Sequence, residues 1–151
     1  MQLDELFRDA VRKQQSGDVA GARALFVRVL DALPNHPEVL FRLGILEHGA
    51  GDFDKAVSYL SRASIGKPDN ANYALMHATA LVSAKRNDEA AAIFERYADG
   101  ADKGAAYASF NLATLFLERG DSQQALELLD ASLARFPGDE ALQKLRSSMG
   151  E

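Results

Sequence analysis

Apolar side chains recur on helical spacing from one end of this chain to the other. Met1-Gln-Leu-Asp-Glu-Leu-Phe-Arg reads as the start of an amphipathic helix, and near the other end Ala141, Leu142, Leu145 and Met149 share a stripe that leaves Gln143, Lys144 and Arg146 outside it. The pattern predicts nine helices and no strand, at about 3–15, 18–33, 37–49, 52–65, 70–84, 87–99, 104–119, 121–135 and 138–148. Pro34, Pro68 and Pro137 each stop a helix, because proline lacks the N–H and biases the residue before it away from α. Pro37 suits a first helical turn, and Asp18, Asp52 and Asp121 are placed to cap or charge the next helix start.

These signals keep a period. Gly17-Asp18 and Gly51-Asp52 lie 34 residues apart, Lys85-Arg86 stands where the next pair falls due, and Gly120-Asp121 follows 35 residues later. Ala22, Ala56, Ala90 and Ala125 lie five residues after each corner, and Phe26, Leu60, Phe94 and Leu129 lie nine after it. Seven before the corners stand Ala10, Gly44, Ala78 and Ala113, small enough for helix axes to approach to about 8–10 Å. Contacts are therefore expected between Gly44 and Ala56, Ala78 and Ala90, and Ala113 and Ala125. A helix–turn–helix unit repeated in this way builds an all-α solenoid, with no closed active-site cleft. The extra residue falls in Asp99–Gly104, which has two glycines and Asp102 in place of the proline. That turn is expected to be the most irregular, either longer and looser than the others or with its flanking helix shifted.

Leu40, Leu43, Gly44, Ala56, Leu60, Ala63 and Pro68 resemble the tetratricopeptide repeat pattern, and four copies in register extend the resemblance over residues 3 to about 139. Glu47 departs from it where the family usually has an aromatic; Phe116 keeps that aromatic in the fourth copy. The resemblance implies a right-handed superhelix forming one domain over 1–151. Its repeats fall at about 3–36, 37–70, 71–105 and 106–139, with a capping helix at 140–150.

Composition narrows the function classes. The chain has 151 residues, 47% hydrophobic and 26% charged, a net charge of −5 and no cysteine. Such a balance argues against nucleic acid or an anionic membrane as the main ligand, and it excludes disulfides and thiolate metal sites. No signal-peptide core or 18-residue apolar span occurs, so a cytoplasmic protein is expected. With 26 alanines, and 11 arginines against 6 lysines, the composition points to a GC-rich bacterial source.

The family resemblance places the concave wall on the first helix of each pair, thirteen, ten, nine and six positions before the corner. Ten before stand Phe7, Phe41, Leu75 and Phe110; nine before, Arg8, Arg42, Met76 and Asn111; six before, Val11, Ile45, Thr79 and Thr114; thirteen before, Asp4, Glu38, Asn72 and Tyr107. An apolar row flanked by Arg and Asn is a candidate groove for a peptide or amphipathic helix of another protein. The alternative is that the row packs between neighbouring repeats, since helical periodicity does not separate adjacent faces. The lysine–asparagine clamp by which some relatives hold a chaperone's C-terminal carboxylate is missing from these positions.

Other chemistry is poorly supported. His36 falls in a turn, His48 near the groove edge, and His77 where neighbouring copies have Leu43 and Leu112, which reads as a buried, hydrogen-bonded position. Their spacing suits no metal, and no nucleotide, nucleophile-elbow or zinc-protease motif occurs, so neither cofactor nor catalysis is expected. The reading is a non-catalytic protein–protein scaffold. Its alternatives are a secretion chaperone, the interaction domain of a larger enzyme such as a bacterial glycosyltransferase, or a self-assembling scaffold.

Overall fold

In the computed structural model, which describes residues 2–150, the periodic glycines are the corners of helix pairs. Gly17, Gly51 and Gly120 have φ of +85°, +83° and +87°. After α1 (Leu3–Gln15) the Gly17 N–H donates to the Gln14 carbonyl at 3.2 Å, and the Asp18 N–H to the Lys13 carbonyl at 2.9 Å. These bonds satisfy carbonyls that a finished helix leaves open, and they require a residue with positive φ. The same pair of bonds ends α3 (Pro37–Gly49) and α7 (Lys103–Glu118). After α5 (Ala71–Ser83) the corner is Lys85, with φ +64°. A side chain there costs about 1–2 kcal/mol.

The second helices are α2 (Val19–Ala32), α4 (Phe53–Gly66), α6 (Asn87–Ala98) and α8 (Ser122–Arg135), and α9 (Glu140–Ser148) follows. Among the described residues there are nine helices and no strand. Asp18 and Asp52 cap as expected, accepting the N–H groups of Gly21 at 2.9 Å and Lys55 at 3.2 Å. Asp121 does not: its carboxylate takes Arg119 Nε at 2.9 Å instead. The Gly21 N–H and then the Lys13 ammonium hold the Asp18 carboxyl below its ordinary range. What this cap contributes is thus present above the ordinary Asp pKa and is lost as acid takes the pH down through the lowered one.

Packing divides the chain into two compact units, Met1–Ala84 with α1–α5 and Lys85–Glu151 with α6–α9, so the division falls inside the third copy. In the first unit each helix packs on the next, around Leu6, Ala10, Ala22, Phe26, Val29, Val39, Leu43 and Leu46. In the second unit α6, α7, α8 and α9 pack in sequence, and α9 also lies against α7. Phe94, Leu112, Leu129 and Leu142 are buried there. Each such side chain contributes about 1.5–3 kcal/mol on removal from water.

The small residues are buried as the period requires: Ala10, Ala56, Ala78, Ala90, Ala113 and Ala125 are all 0% exposed. Gly44 is buried where α3 packs on α4. The side chain closest to it is Leu60, one turn beyond Ala56, and a Cβ built on Gly44 would stand 2.5 Å from Leu60 Cγ.

At Asp99–Gly104 the second of the two expected outcomes holds. Four residues, 99–102, join α6 to α7, as many as 33–36 and 67–70 provide elsewhere, so the connection is no longer than its counterparts. The flanking helices are what shift: α6 has 12 residues where α2, α4 and α8 have 14, and α7 has 16 where α1, α3 and α5 have 13. The added residue lengthens a helix because Asp102 caps it, accepting the Ala105 N–H at 3.2 Å. Arg135 then fastens the turn, donating to the Gly100 carbonyl at 2.5 Å and to the Ala98 carbonyl at 2.6 Å.

Glu47 lies 4% exposed where an aromatic was expected. Arg23 of α2 holds it, with Nε 2.5 Å from Oε1 and Nη2 3.5 Å from Oε2. That hydrogen bond raises the Arg23 pKa above its ordinary value. An ion pair here fills the space of a ring between the first and second repeats.

Three stability outcomes follow, each read from urea melts. Gly44→Ala gains about 1 kcal/mol of helix propensity, yet is expected to destabilise, because overpacking costs ~1–3 kcal/mol. Gly49→Ala, with nothing within 4 Å of its Cβ, is the control and should be neutral or better. Lys85→Gly should stabilise by about 0.5–1 kcal/mol; an unchanged or lowered midpoint contradicts the strained corner. Arg23→Ala should cost ~3 kcal/mol by leaving Glu47 buried and unpaired, whereas the double change Arg23→Met, Glu47→Phe should return to within about 1 kcal/mol of the parent.

Candidate functional site

In the first unit, most of the predicted groove residues are already engaged. Phe7 meets Phe26 edge-on at 6.0 Å, lies 6.1 Å from the His36 ring, and packs with Val11 against the core. The Arg42 guanidinium sits 5.7 Å over the Phe7 ring while bonding Glu38 Oε1 at 3.1 Å and Gln14 Oε1 at 3.0 Å. Phe41 stacks on Tyr73 of α5, centroids 4.4 Å apart and planes 17° apart. Burial, with Glu38 nearby, raises the Tyr73 hydroxyl pKa. Thr79 Oγ1 donates to the Leu75 carbonyl at 2.9 Å. Leu75 itself is 6% exposed and offers almost no surface; Ala71, Ala74 and Ala78 beside it let α5 be approached closely. Arg8 is exposed; Ile45 and Met76 are half-buried.

Two of the histidines make structural contacts. His36 Nδ1 accepts the Val39 N–H at 3.4 Å, which caps α3. His48 Nε2 lies 2.9 Å from Ser83 Oγ and 5.3 Å, ring to ring, from Phe53. His77 is half-buried, not buried as its core position implied.

The second unit is more open. Tyr107 is 40% exposed, with its ring 6.2 Å from Phe94. Asn111 Nδ2 donates to the Tyr107 carbonyl and Thr114 Oγ1 to the Phe110 carbonyl, both at 2.9 Å. Phe110 is half-buried and borders two cavities. One, of about 350 Å³, is lined by Lys103, Ala106, Tyr107, Phe110, Asn111, Asp139 and Ala141. The other, of about 570 Å³, is lined by Phe110, Glu140, Ala141, Lys144 and Leu145. The two share Phe110 and Ala141, so together they form a trough between α7 and α9.

Lys103, Ala141, Lys144 and Leu145 were not among the residues expected at this face. The stripe on α9 was read as facing the stack, but only Leu142 is fully buried; Ala141 is exposed, and Leu145 and Met149 are half-buried. The reason lies in register. Asp139 caps α9 by accepting the Leu142 N–H at 3.0 Å, just as His36 caps α3 and Asn70 caps α5. Counted from those caps, Leu142 falls where Val39 and Tyr73 fall, while Ala141, Lys144 and Leu145 fall where Glu38, Phe41 and Arg42 fall. Gln143, Arg146 and Ser147 replace Leu40, Leu43 and Gly44. Thus α9 stands in the register of a fifth first helix, with polar residues at the positions where α3 meets its second helix. Pro137, seventeen residues after Gly120, already carried that signal.

Comparison with known proteins follows the same period. The tetratricopeptide repeat family pattern matches residues 14–80 and again 81–149. A curated relative, the cellulose synthase operon protein C of Xanthomonas axonopodis pv. citri (strain 306), is 36% identical over 131 residues. That match takes up 82% of this chain but 9% of the relative. Among solved structures, MamA of Desulfovibrio magneticus RS-1 superposes with a TM-score of 0.83 at 19% identity, over 99% of this chain and 84% of that one. The hetero-tetramer Cut9–Hcn1 of APC/C matches with a TM-score of 0.79 at 17% identity, over all of this chain and 30% of that one. At such identities the structures share the fold. With the sequence pattern matched twice and the corners and small residues in register, the chain belongs to the tetratricopeptide repeat family.

Proposed function

We propose that this chain is a non-catalytic scaffold that holds a peptide or amphipathic helix of another protein against the inner faces of its first helices. One observation carries the reading: the trough beside Phe110, where apolar side chains from α7 and α9 border open space large enough for side chains of a partner. The helices that form it are rigid and capped, so the ordering cost of binding falls mainly on the partner. Arg42 serves chiefly to order the first unit, where its guanidinium is already bonded, and Asn111 acts as the polar guide at the trough.

The length of the curated relative favours a second reading. In it, an array like this one works as an interaction module within a longer protein that serves polysaccharide synthesis. A longer native reading frame supports that version, and an array that alone recovers a mutant lacking the whole gene speaks against it.

The two rings expected at the groove should now separate. Phe110→Ala should weaken partner binding by ~1–3 kcal/mol with little change in melting temperature, as for an interface anchor. Phe41→Ala should instead lower the melting temperature, because it removes a stacked pair inside the first unit. Affinity capture from source lysate with both variants and the parent, beside thermal melts, reads both effects. Normal partner recovery by folded Phe110→Ala removes the trough from the interface.

A further inference from the structure

Each second helix meets the next first helix through the same two stations, six residues after one corner and four before the next. Between α2 and α3 these stations hold the Arg23–Glu47 pair. Between α4 and α5 they hold Val57 and Leu81, both buried. Between α6 and α7 they hold Ala91 and Phe116. Only a methyl group stands there at the station of Arg23 and Val57, and a cavity of about 260 Å³ opens beside it, with Leu115 on the same wall.

The polar lining calls for a hydrogen-bond donor that carries positive charge. Asn87 Oδ1 is buried and accepts no hydrogen bond from the described residues. Glu118, the last residue of α7, brings a carboxylate to the negative end of that helix, and it has no ion-pair partner among the described residues. Arg119 is the single cation on the lining, and it is already matched. Its Nε lies 2.9 Å from Asp121 Oδ2 and its Nη1 3.6 Å from Asp88 Oδ1, while the guanidinium covers the Phe116 ring at 5.6 Å. Two carboxylates thus stand against one guanidinium on the lining, and Asp121 behind Arg119 makes three. The positive end of α6, which reaches the cavity at Asn87, is covered by Asp88 and Glu89 in its first turn.

We infer that this cavity is a second binding site, which takes an arginine side chain of a partner protein. A guanidinium carries five N–H donors in a planar fork, enough to serve Asn87 Oδ1 and the Glu118 carboxylate together, while its stem lies along Ala91, Leu115 and Phe116. The chain's own Arg23, at the matching station between α2 and α3, shows that an arginine fits between such helices. The cavity shares no lining residue with the trough beside Phe110, so either site can fail without the other.

The test is an NMR titration of the ¹⁵N-labelled full chain with capped Ala-X-Ala tripeptides, X being arginine, citrulline, lysine or glutamate. Citrulline keeps the shape of arginine and most of its donors but not its charge. The arginine peptide should shift the amides of Asn87, Ala91, Phe116 and Glu118. It should bind about two- to fivefold tighter than the citrulline peptide, the range of one exposed ion pair, and salt should shrink this margin. Glu118→Gln should erase the margin. Ala91→Leu, which fills the cavity, should remove the shifts while the melting temperature holds or rises. If that variant melts early, Glu118→Gln and the citrulline margin decide the matter. Citrulline or glutamate binding as tightly as arginine overturns the cationic occupant, and lysine binding as tightly overturns the fork. Shifts that survive in folded Ala91→Leu place the peptide elsewhere and overturn the site. Shifts confined to Phe110, Ala141 and Leu145 overturn it too, but leave the trough standing. The absence of any shift with all four peptides overturns the site and leaves the proposed scaffold role untouched.

Discussion

A first helix must reverse onto its second within three residues, and the rest of the structure depends on how it does so. The reversal runs through a residue in the left-handed region, and at the three glycine corners its N–H and that of its successor close the last carbonyls of the helix. Because the corner is geometrically strict, it fixes which positions of each first helix face its partner. Seven before the corner must be small, and nine after it a large apolar group fills the space left. Leu60 beside Gly44 shows how tight this is, since even a methyl on Gly44 would fall inside van der Waals contact. Lys85 shows the strength of the constraint from the other side: its backbone takes the left-handed conformation despite its side chain.

Within that frame, local chemistry can be exchanged if volume and hydrogen bonding are kept. At the position that Phe116 fills with a ring, Glu47 supplies a carboxylate, and it is tolerated because Arg23 reaches it with two nitrogens. The turn after α6 has no proline, yet Arg135 occupies the carbonyls that proline-bearing turns leave to other partners. In the first unit Arg62 does a related task, donating to the Pro34 carbonyl at 2.6 Å. Long arginines from second helices thus tie down connections that the backbone alone closes less completely.

The fold was legible in the sequence because its determinants are local and periodic: corner glycines, capping Asp and Asn, and prolines all act within a turn of the residue that carries them. Helix ends came within about two residues on that basis. At Asp99–Gly104 the two glycines leave a looser turn and a shifted helix equally open in the sequence, and the capping strength of Asp102 decides where α7 begins. The candidate surface was less legible. Its residues were named from a position in the repeat, and exposure at that position depends on a side chain one repeat further along.

The aromatic row makes this concrete. Phe41 is covered because Tyr73, three residues past the cap of the next first helix, has a ring long enough to stack on it. Phe7 is covered because Arg42 extends over its face. On α9 the matching residues are Leu142, fully buried, and Leu145, too short to lie across a ring. Phe110 is therefore left bordering open space, although it holds the same repeat position as the other two. One periodic pattern thus yields packing in one rung and surface in another, decided by the reach of a single following side chain. Surface at this repeat position is thus set by the next first helix along the chain, and beside Phe110 that helix is α9, whose Ala141 and Leu145 border the same open space.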